Sequence, residues 1–213
     1  MQGIHGYIFE RVIKKRQYAN ALHNIICLVA EWEYRYDKRN NKFSLNTEPL
    51  LNWLRTFHGC DIVYRHIINK QDLQYYLDYF ASHKREFKKY NIIYIACHGK
   101  HHAISLEGKD GDIDLSELNT MAKGFFENRV VHFGSCKTLA NPNEAMKFKA
   151  DCGARLVSGY EISVDAMTSA IADAAFFNEI MNYQNIGIFK NDTTCLFWKK
   201  YESLLKELKF RVY

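Results

Sequence analysis

Two stretches decide the fold of this 213-residue chain: residues 92–100, IIYIACHGK, and residues 130–140, VVHFGSCKTLA. In each stretch a short apolar run gives way to small and polar residues. Runs that are apolar at nearly every position are typical of strands covered on both faces, as in a parallel sheet. We therefore predict two strands of a parallel sheet, one running out into His98 and the other into Cys136.

Three further apolar runs, at residues 25–30, 62–67 and 155–158, predict three more strands. Segments with helical periodicity alternate with these runs, which is typical of strands joined by crossover helices. The stripes that carry this periodicity are Leu50, Trp53, Leu54 and Phe57 in one segment and Leu73, Tyr76, Leu77 and Phe80 in the next. The pattern predicts an α/β fold with a mainly parallel sheet of about five core strands flanked by helices.

The second half of the chain carries clear helix and turn signals. Asn141 followed by Pro142 predicts a helix start, and Gly153 predicts its end. Residues 102–107 and 113–115 flank a glycine-rich turn and predict a small hairpin, with a helix from about residue 116. An alanine-rich helix that ends near residue 181 and a final helix from about residue 193 to 208 complete the expectation.

Composition indicates one domain and excludes several classes of function. With 47% hydrophobic residues the chain can bury one core, so we expect residues 1–213 to form a single domain, with residues 1–22 left without a role. The net charge of +5 is scattered, which does not indicate nucleic-acid binding. No apolar run reaches the roughly 18 residues of a membrane span, and the N-terminus lacks a signal-peptide core. Six widely spaced cysteines predict free thiols in a reducing compartment, hence a cytoplasmic protein.

Polar residues at the two strand ends point to acyl transfer. Adjacent strands lie about 5 Å apart, so His98 and Cys136 can meet across the crevice at the carboxyl edge of the sheet. An imidazole beside a thiol favours the nucleophilic thiolate and can later protonate a leaving amine. The N–H groups of Gly99 and Cys136 can form an oxyanion hole. This chemistry requires no cofactor.

A metal site is the rival chemical interpretation. It would combine Cys97, His98, His101 and His102 with His132 or Cys136. Consecutive strand residues face opposite sides, which argues against such convergence. We interpret His132, inside the apolar run, as a core histidine with satisfied hydrogen bonds.

The two stretches resemble the motif blocks of the caspase-like cysteine peptidases: an apolar strand that ends in His-Gly, and an apolar strand that ends in a small residue and the nucleophilic Cys. Within that clan the chain is most similar to the bacterial CHAT group, and residues 154–165 are similar to the strand and loop after its catalytic cysteine. The resemblance implies a caspase-like three-layer sandwich, with His98 as general base, Cys136 as nucleophile and Gly99 in the oxyanion hole. Asp165 is the acid nominated for substrate binding, although its place before an alanine-rich helix also predicts a helix cap.

On this resemblance the expected function is a cysteine endopeptidase that cleaves a protein or peptide substrate. We expect it to be latent until an activating protein partner, homodimerisation or loop ordering releases it, because an unregulated peptidase would harm its own cell. A bacterial role in defence or programmed cell death follows by analogy. The alternative is a catalytically inactive caspase-like module for binding or signalling.

Overall fold

A computed structural model of the chain describes residues 21–31, 46–107, 111–191 and 195–213. A six-stranded, mostly parallel sheet lies between two layers of helices, so the expected α/β three-layer sandwich is confirmed. None of the helices in these four ranges combines the length and apolarity needed to span a bilayer.

The strands fall into one large and one small sheet. In chain order they are β1 (Asn24–Val29), β2 (Ile62–His66), β3 (Tyr90–Ala96), β4 (His98–Lys100), β5 (Ala103–Ser105), β6 (Asp112–Asp114), β7 (Val130–Phe133), β8 (Leu156–Tyr160) and β9 (Phe210–Val212). The large sheet has the order β2-β1-β3-β7-β8-β9, in which only β9 pairs antiparallel to its neighbour. The small antiparallel sheet, β4-β5-β6, follows β3 directly.

The helices connect these strands and cover both faces of the large sheet. They are α1 (Glu48–His58), α2 (Lys70–Ser82), α3 (Lys84–Phe87), α4 (Leu115–Ala122), α5 (Pro142–Cys152), α6 (Ala166–Ile180), α7 (Leu196–Lys200) and α8 (Glu202–Glu207), with a 3-10 helix at Ile186–Lys190. The predicted helix signals at Asn141, Pro142 and Gly153 are confirmed, since Asn141 caps α5 and Gly153 ends it in the left-handed conformation.

Two apolar cores lie on opposite faces of the sheet, because alternate residues of each strand point to opposite sides. Ile93 and Ile95 of β3 enter one core with Phe80 of α2, whereas Tyr94 enters the other with Phe176 of α6. The second core is rich in aromatic rings, which pack edge-on or tilted around Phe176.

Three details differ from the expectation. The single terminal helix is wrong over its described part: α7 and α8 are separated at Tyr201, whose backbone is not helical, and β9 follows them. The predicted hairpin is a three-stranded sheet that already begins at His98. Trp53 and Phe57 lie on the exposed side of α1 and not in the core, because Leu50 and Leu54 occupy its buried stripe.

Candidate active site

Strand register places His98 and Cys136 at the same edge of the sheet. β3 and β7 are parallel neighbours, and Ile95 pairs with Phe133. His98 lies three residues after Ile95, and Cys136 lies three residues after Phe133. Both side chains line one cleft of about 390 Å³ at the carboxyl ends of the strands, which is where open parallel sheets bind ligands.

The turn that carries Cys136 is anchored on three sides. The Gly134 N–H donates to the carbonyl of Ile95 at 3.0 Å, which extends the pairing with β3. The buried Ser135 hydroxyl lies 2.6 Å from that of Thr138. Lys137 has a left-handed φ of 57°, and its N–H donates to the carbonyl of Ile162 at 3.0 Å. These bonds hold the cysteine at a defined position above the sheet.

The thiol of Cys136 lies against the backbone of Val164, in the loop between β8 and α6. The Val164 N–H donates to Sγ at 3.3 Å, and the thiol donates to the Val164 carbonyl at 3.6 Å. Cys136 is neither fully buried nor fully exposed. Its sulfur therefore has a fixed orientation and still faces the cleft.

Gly99 packs directly on the backbone of Cys136. A Cβ at Gly99 would lie 2.3 Å from the Cys136 carbonyl oxygen and 3.0 Å from its nitrogen, with Thr138 Oγ1 at 2.6 Å. Only glycine fits at such a distance, because real Cβ contacts are longer. The two backbone segments that the sequence assigned to an oxyanion hole are thus in contact.

Of the other five cysteines, four are buried, and Cys97 lines the same cleft as Cys136. Burial raises the thiol pKa of Cys27, Cys60, Cys97, Cys152 and Cys195. Cys97, next to His98, has its pKa raised to about 12 and packs against the core. These five thiols are held protonated at neutral pH and behave as small apolar side chains.

A buried carboxylate, Asp173 of α6, forms part of the cleft wall and is only 2% exposed. The Tyr94 hydroxyl donates to its Oδ2 at 2.7 Å, the Tyr160 hydroxyl donates to Oδ1, and His132 Nε2 lies 2.8 Å from Oδ1. Burial, followed by the negative charge of Asp173, raises the pKa of both tyrosines well above the usual value. The phenols therefore stay protonated and available as donors.

His132 is a core histidine, as its interpretation from the sequence has it. Its side chain is fully buried, and its second ring nitrogen, Nδ1, lies 2.8 Å from the Ser158 hydroxyl. Within the described residues, no group of three or more His, Cys, Asp and Glu side chains is placed to hold a metal ion. The rival metal interpretation gains no support from this part of the chain.

A second carboxylate, Glu31, lines the same cleft and is the second residue after the end of β1. It accepts a hydrogen bond from the Tyr64 hydroxyl at 3.0 Å and another from the Thr47 N–H. Burial and the charge of Glu31 raise the pKa of Tyr64, so this phenol also remains a donor. Each cleft carboxylate is thus oriented by a protonated tyrosine.

Sequence reasoning missed both cleft acids, although each left a signal. Glu31 is a polar residue just past a strand end, so the rule that selected His98 applies to it as well. Asp173 is the single charged residue between 166 and 178, inside an otherwise apolar and alanine-rich helix. Asp165, the acid nominated from the sequence, is exposed and caps α6 through the N–H groups of Met167 and Thr168. It is not among the cleft-lining residues.

Comparison with known proteins adds a family without a function. The model of a protein family described as "Family of unknown function (DUF6642)" matches residues 22–213. No curated protein matches the chain. The matched region includes the whole cleft and both apolar cores.

Proposed function

Because the chain belongs to this family of unknown function, its activity has to be inferred from the site, and we propose that it is a cysteine endopeptidase. In this proposal Cys136 is the nucleophile and His98 is the general base. The N–H groups of Gly99 and Cys136 form the oxyanion hole. The substrate is a protein or peptide.

One observation carries the proposal: a thiol and an imidazole line the same cleft at the carboxyl ends of two adjacent parallel strands. Cys136 is held in a turn whose backbone contacts that of Gly99. A thiol used only for packing has no need of this position, as the four buried cysteines, Cys27, Cys60, Cys152 and Cys195, illustrate. The resemblance of both strand ends to the caspase-like motif blocks supports the same chemistry.

The proposed reaction has two steps. His98 takes the thiol proton, Cys136 Sγ attacks the scissile carbonyl carbon, and the oxyanion forms opposite the two N–H groups. His98 returns the proton to the leaving amine as the C–N bond breaks, which leaves a thioester on Cys136. Water, activated by the same imidazole, then hydrolyses the thioester and frees the thiol.

The cellular setting is part of the proposal. All six cysteines are free thiols, which suits the cytoplasm. The hydrogen bond from the Cys136 thiol to the Val164 carbonyl requires a protonated sulfur and suits a resting state. An activating partner or homodimerisation would release it through movement of the loop at residues 161–165. A bacterial role in defence or cell death rests on the resemblance alone.

The test compares wild type with Cys136→Ala and His98→Ala, using fluorogenic peptides and an iodoacetamide-based thiol probe. We expect both substitutions to abolish cleavage, and labelling of wild type to fall on Cys136. Cys152→Ala and His66→Ala serve as matched controls, since Cys152 is buried and is not among the cleft-lining residues, and His66 is exposed on β2. Both controls should keep wild-type cleavage.

Cleavage that persists in Cys136→Ala would reject the proposed nucleophile. Equal labelling of all six cysteines, together with no cleavage of any peptide, would favour the inactive binding or signalling module.

A further inference from the structure

The charge and the walls of the cleft restrict what can bind there. Among the described residues that line it, Glu31 and Asp173 are acidic and none is Lys or Arg. The chain as a whole carries a net charge of +5, so the acidity of the cleft is a local feature. Among these described residues, an anionic ligand group would meet two carboxylates and neither a Lys nor an Arg side chain.

The walls of the cleft are mostly apolar. They include Ala30, Leu50, Ala96, Met167 and Ala170. A pocket with apolar walls and carboxylates at defined points suits a side chain with an aliphatic stem and a cationic head. Lysine and arginine are the two amino acids with this form.

Asp173 retains acceptor capacity on the side of the nucleophile. Its Oδ1 is already bonded to Tyr160 and lies beside His132 Nε2, whereas Oδ2 accepts from Tyr94 and from no other described residue. A carboxylate oxygen can accept two hydrogen bonds, so Oδ2 has one acceptor position left. This oxygen lies 3.0 Å from the point where a Cβ of Gly134 would stand, two residues before Cys136.

Preorganisation strengthens this site. Protonated phenols and the His132 ring hold the Asp173 carboxylate in place, and Tyr64 does the same for Glu31. A cation that reaches Asp173 meets an acceptor that needs no reorganisation, in surroundings largely withdrawn from water. Glu31 follows β1, which is separated from β7, the strand before Cys136, by β3 alone. It adds a second negative charge.

We propose that this cleft binds the cationic side chain of a Lys or Arg residue in the substrate, with Asp173 Oδ2 as its main acceptor and Glu31 as the second charge. This inference rests on the proposed function for the reaction that follows, but the binding of the cation is a separate property. It makes the peptide bond after a basic residue the one presented to Cys136.

The first experiment measures binding without catalysis. Butylguanidinium and its neutral isostere butylurea are titrated into the full-length protein at low and constant ionic strength, with binding followed by protein NMR. We expect butylguanidinium to bind at least about tenfold more tightly, the effect of about 1.4 kcal/mol. Glu31→Gln should narrow this gap and Asp173→Asn should remove it.

Asp165→Asn is the matched acidic control, because Asp165 lies at the start of the same helix and outside the cleft lining. It should keep the wild-type gap. If Asp173→Asn fails to fold, as judged by circular dichroism, the affinity difference between the two probes in Glu31→Gln tests the inference by itself. Equal or absent binding of the two probes to wild type, or a gap unchanged in Glu31→Gln and in a folded Asp173→Asn, overturns the inference.

Cleavage separates this inference from the proposed function. Of two peptides that differ only by Arg or citrulline before the scissile bond, the Arg peptide should have a kcat/KM at least about tenfold higher. Equal cleavage of both would reject the basic preference and keep the peptidase. A tenfold binding gap with an inert Cys136 would keep the cation site and reject the peptidase.

Discussion

Val164 contacts the sulfur of Cys136 with both its N–H, at 3.3 Å, and its carbonyl oxygen, at 3.6 Å. The N–H can stabilise a thiolate, whereas the carbonyl can only accept from a protonated thiol. The loop before α6 is therefore positioned to influence the reactivity of the cysteine.

Replacement of Val164 by proline removes the N–H donor to the sulfur. We expect the rate of Cys136 alkylation by iodoacetamide at pH 7 to fall at least about tenfold, since a hydrogen bond to a charged group contributes about 1.5–3 kcal/mol. Val164→Ala keeps the N–H and should react like wild type. Mass spectrometry of the labelled peptide gives the rate, and equal rates in the two variants would contradict a role for this bond.

Gly99→Ala should disturb the site through the backbone of Cys136. The new methyl group would lie 2.3 Å from the Cys136 carbonyl oxygen, so one of the two segments must move. Overpacking of this kind costs about 1–3 kcal/mol. Urea unfolding should show that loss, and alkylation of Cys136 should change with it. Gly124→Ala is the control: its positive φ makes alanine strained, but nothing lies within 4 Å of the added carbon.

Tyr94→Phe removes the hydroxyl that donates to Asp173 Oδ2. Oδ2 of the buried carboxylate then loses this donor, while Oδ1 keeps Tyr160 and His132. We expect the free energy of unfolding to fall by about 1.5–3 kcal/mol. Tyr75→Phe removes a hydroxyl from a side chain that is 62% exposed and should change stability by less than about 0.5 kcal/mol. Similar losses in the two variants, measured by chemical denaturation, would argue against the Asp173 network as a stabilising element.

Cys60 should make the protein less stable at alkaline pH. Burial raises its thiol pKa from 9.0 to about 11, so the folded state keeps a proton that the unfolded state loses above pH 9. Stability from this group is complete below pH 9 and is lost as the pH rises through 11, by up to about 1.4 kcal/mol per pH unit.

Cys60→Ala removes that titration, although the lost side-chain volume lowers stability at every pH. The free energy of unfolding, measured by chemical denaturation at several pH values from 8 to 10.5, should therefore fall less steeply with pH for Cys60→Ala than for wild type. If the free energies of unfolding of the two proteins change with pH in parallel, the pKa of Cys60 is the same in the folded and unfolded states.

Phe210→Ala tests the strand that the sequence did not predict. Phe210 is fully buried in the aromatic core and pairs with Tyr160 across β8 and β9. We expect a loss of about 3–5 kcal/mol in the free energy of unfolding. Leu196→Ala, at a residue that is 64% exposed, should stay within about 0.5 kcal/mol of wild type. A small effect of Phe210→Ala would mean that β9 contributes little to the fold.

Five core strands and most helices could be predicted because their signals are local. An apolar run such as residues 92–97 needs no knowledge of its neighbours, and Asn141, Pro142 and Gly153 mark a helix by their own backbone preferences. β9 has only three residues, too few for a periodic pattern, and its strand conformation depends on pairing with β8. The prediction that Trp53 belongs to the buried stripe was wrong, because an apolar residue on a helical stripe is buried only if another element covers it.

By itself the sequence determined the α/β class, the free cysteines and the two strand ends that carry His98 and Cys136, since each of these is encoded within a few neighbouring residues. The tertiary structure alone decided which acids face the cleft. Asp165, chosen from its position, caps a helix, whereas Asp173 reaches the cleft from α6 and Glu31 from the segment after β1. The reason is physical: whether a carboxylate faces solvent, a helix end or a cleft depends on the packing of segments distant in the chain.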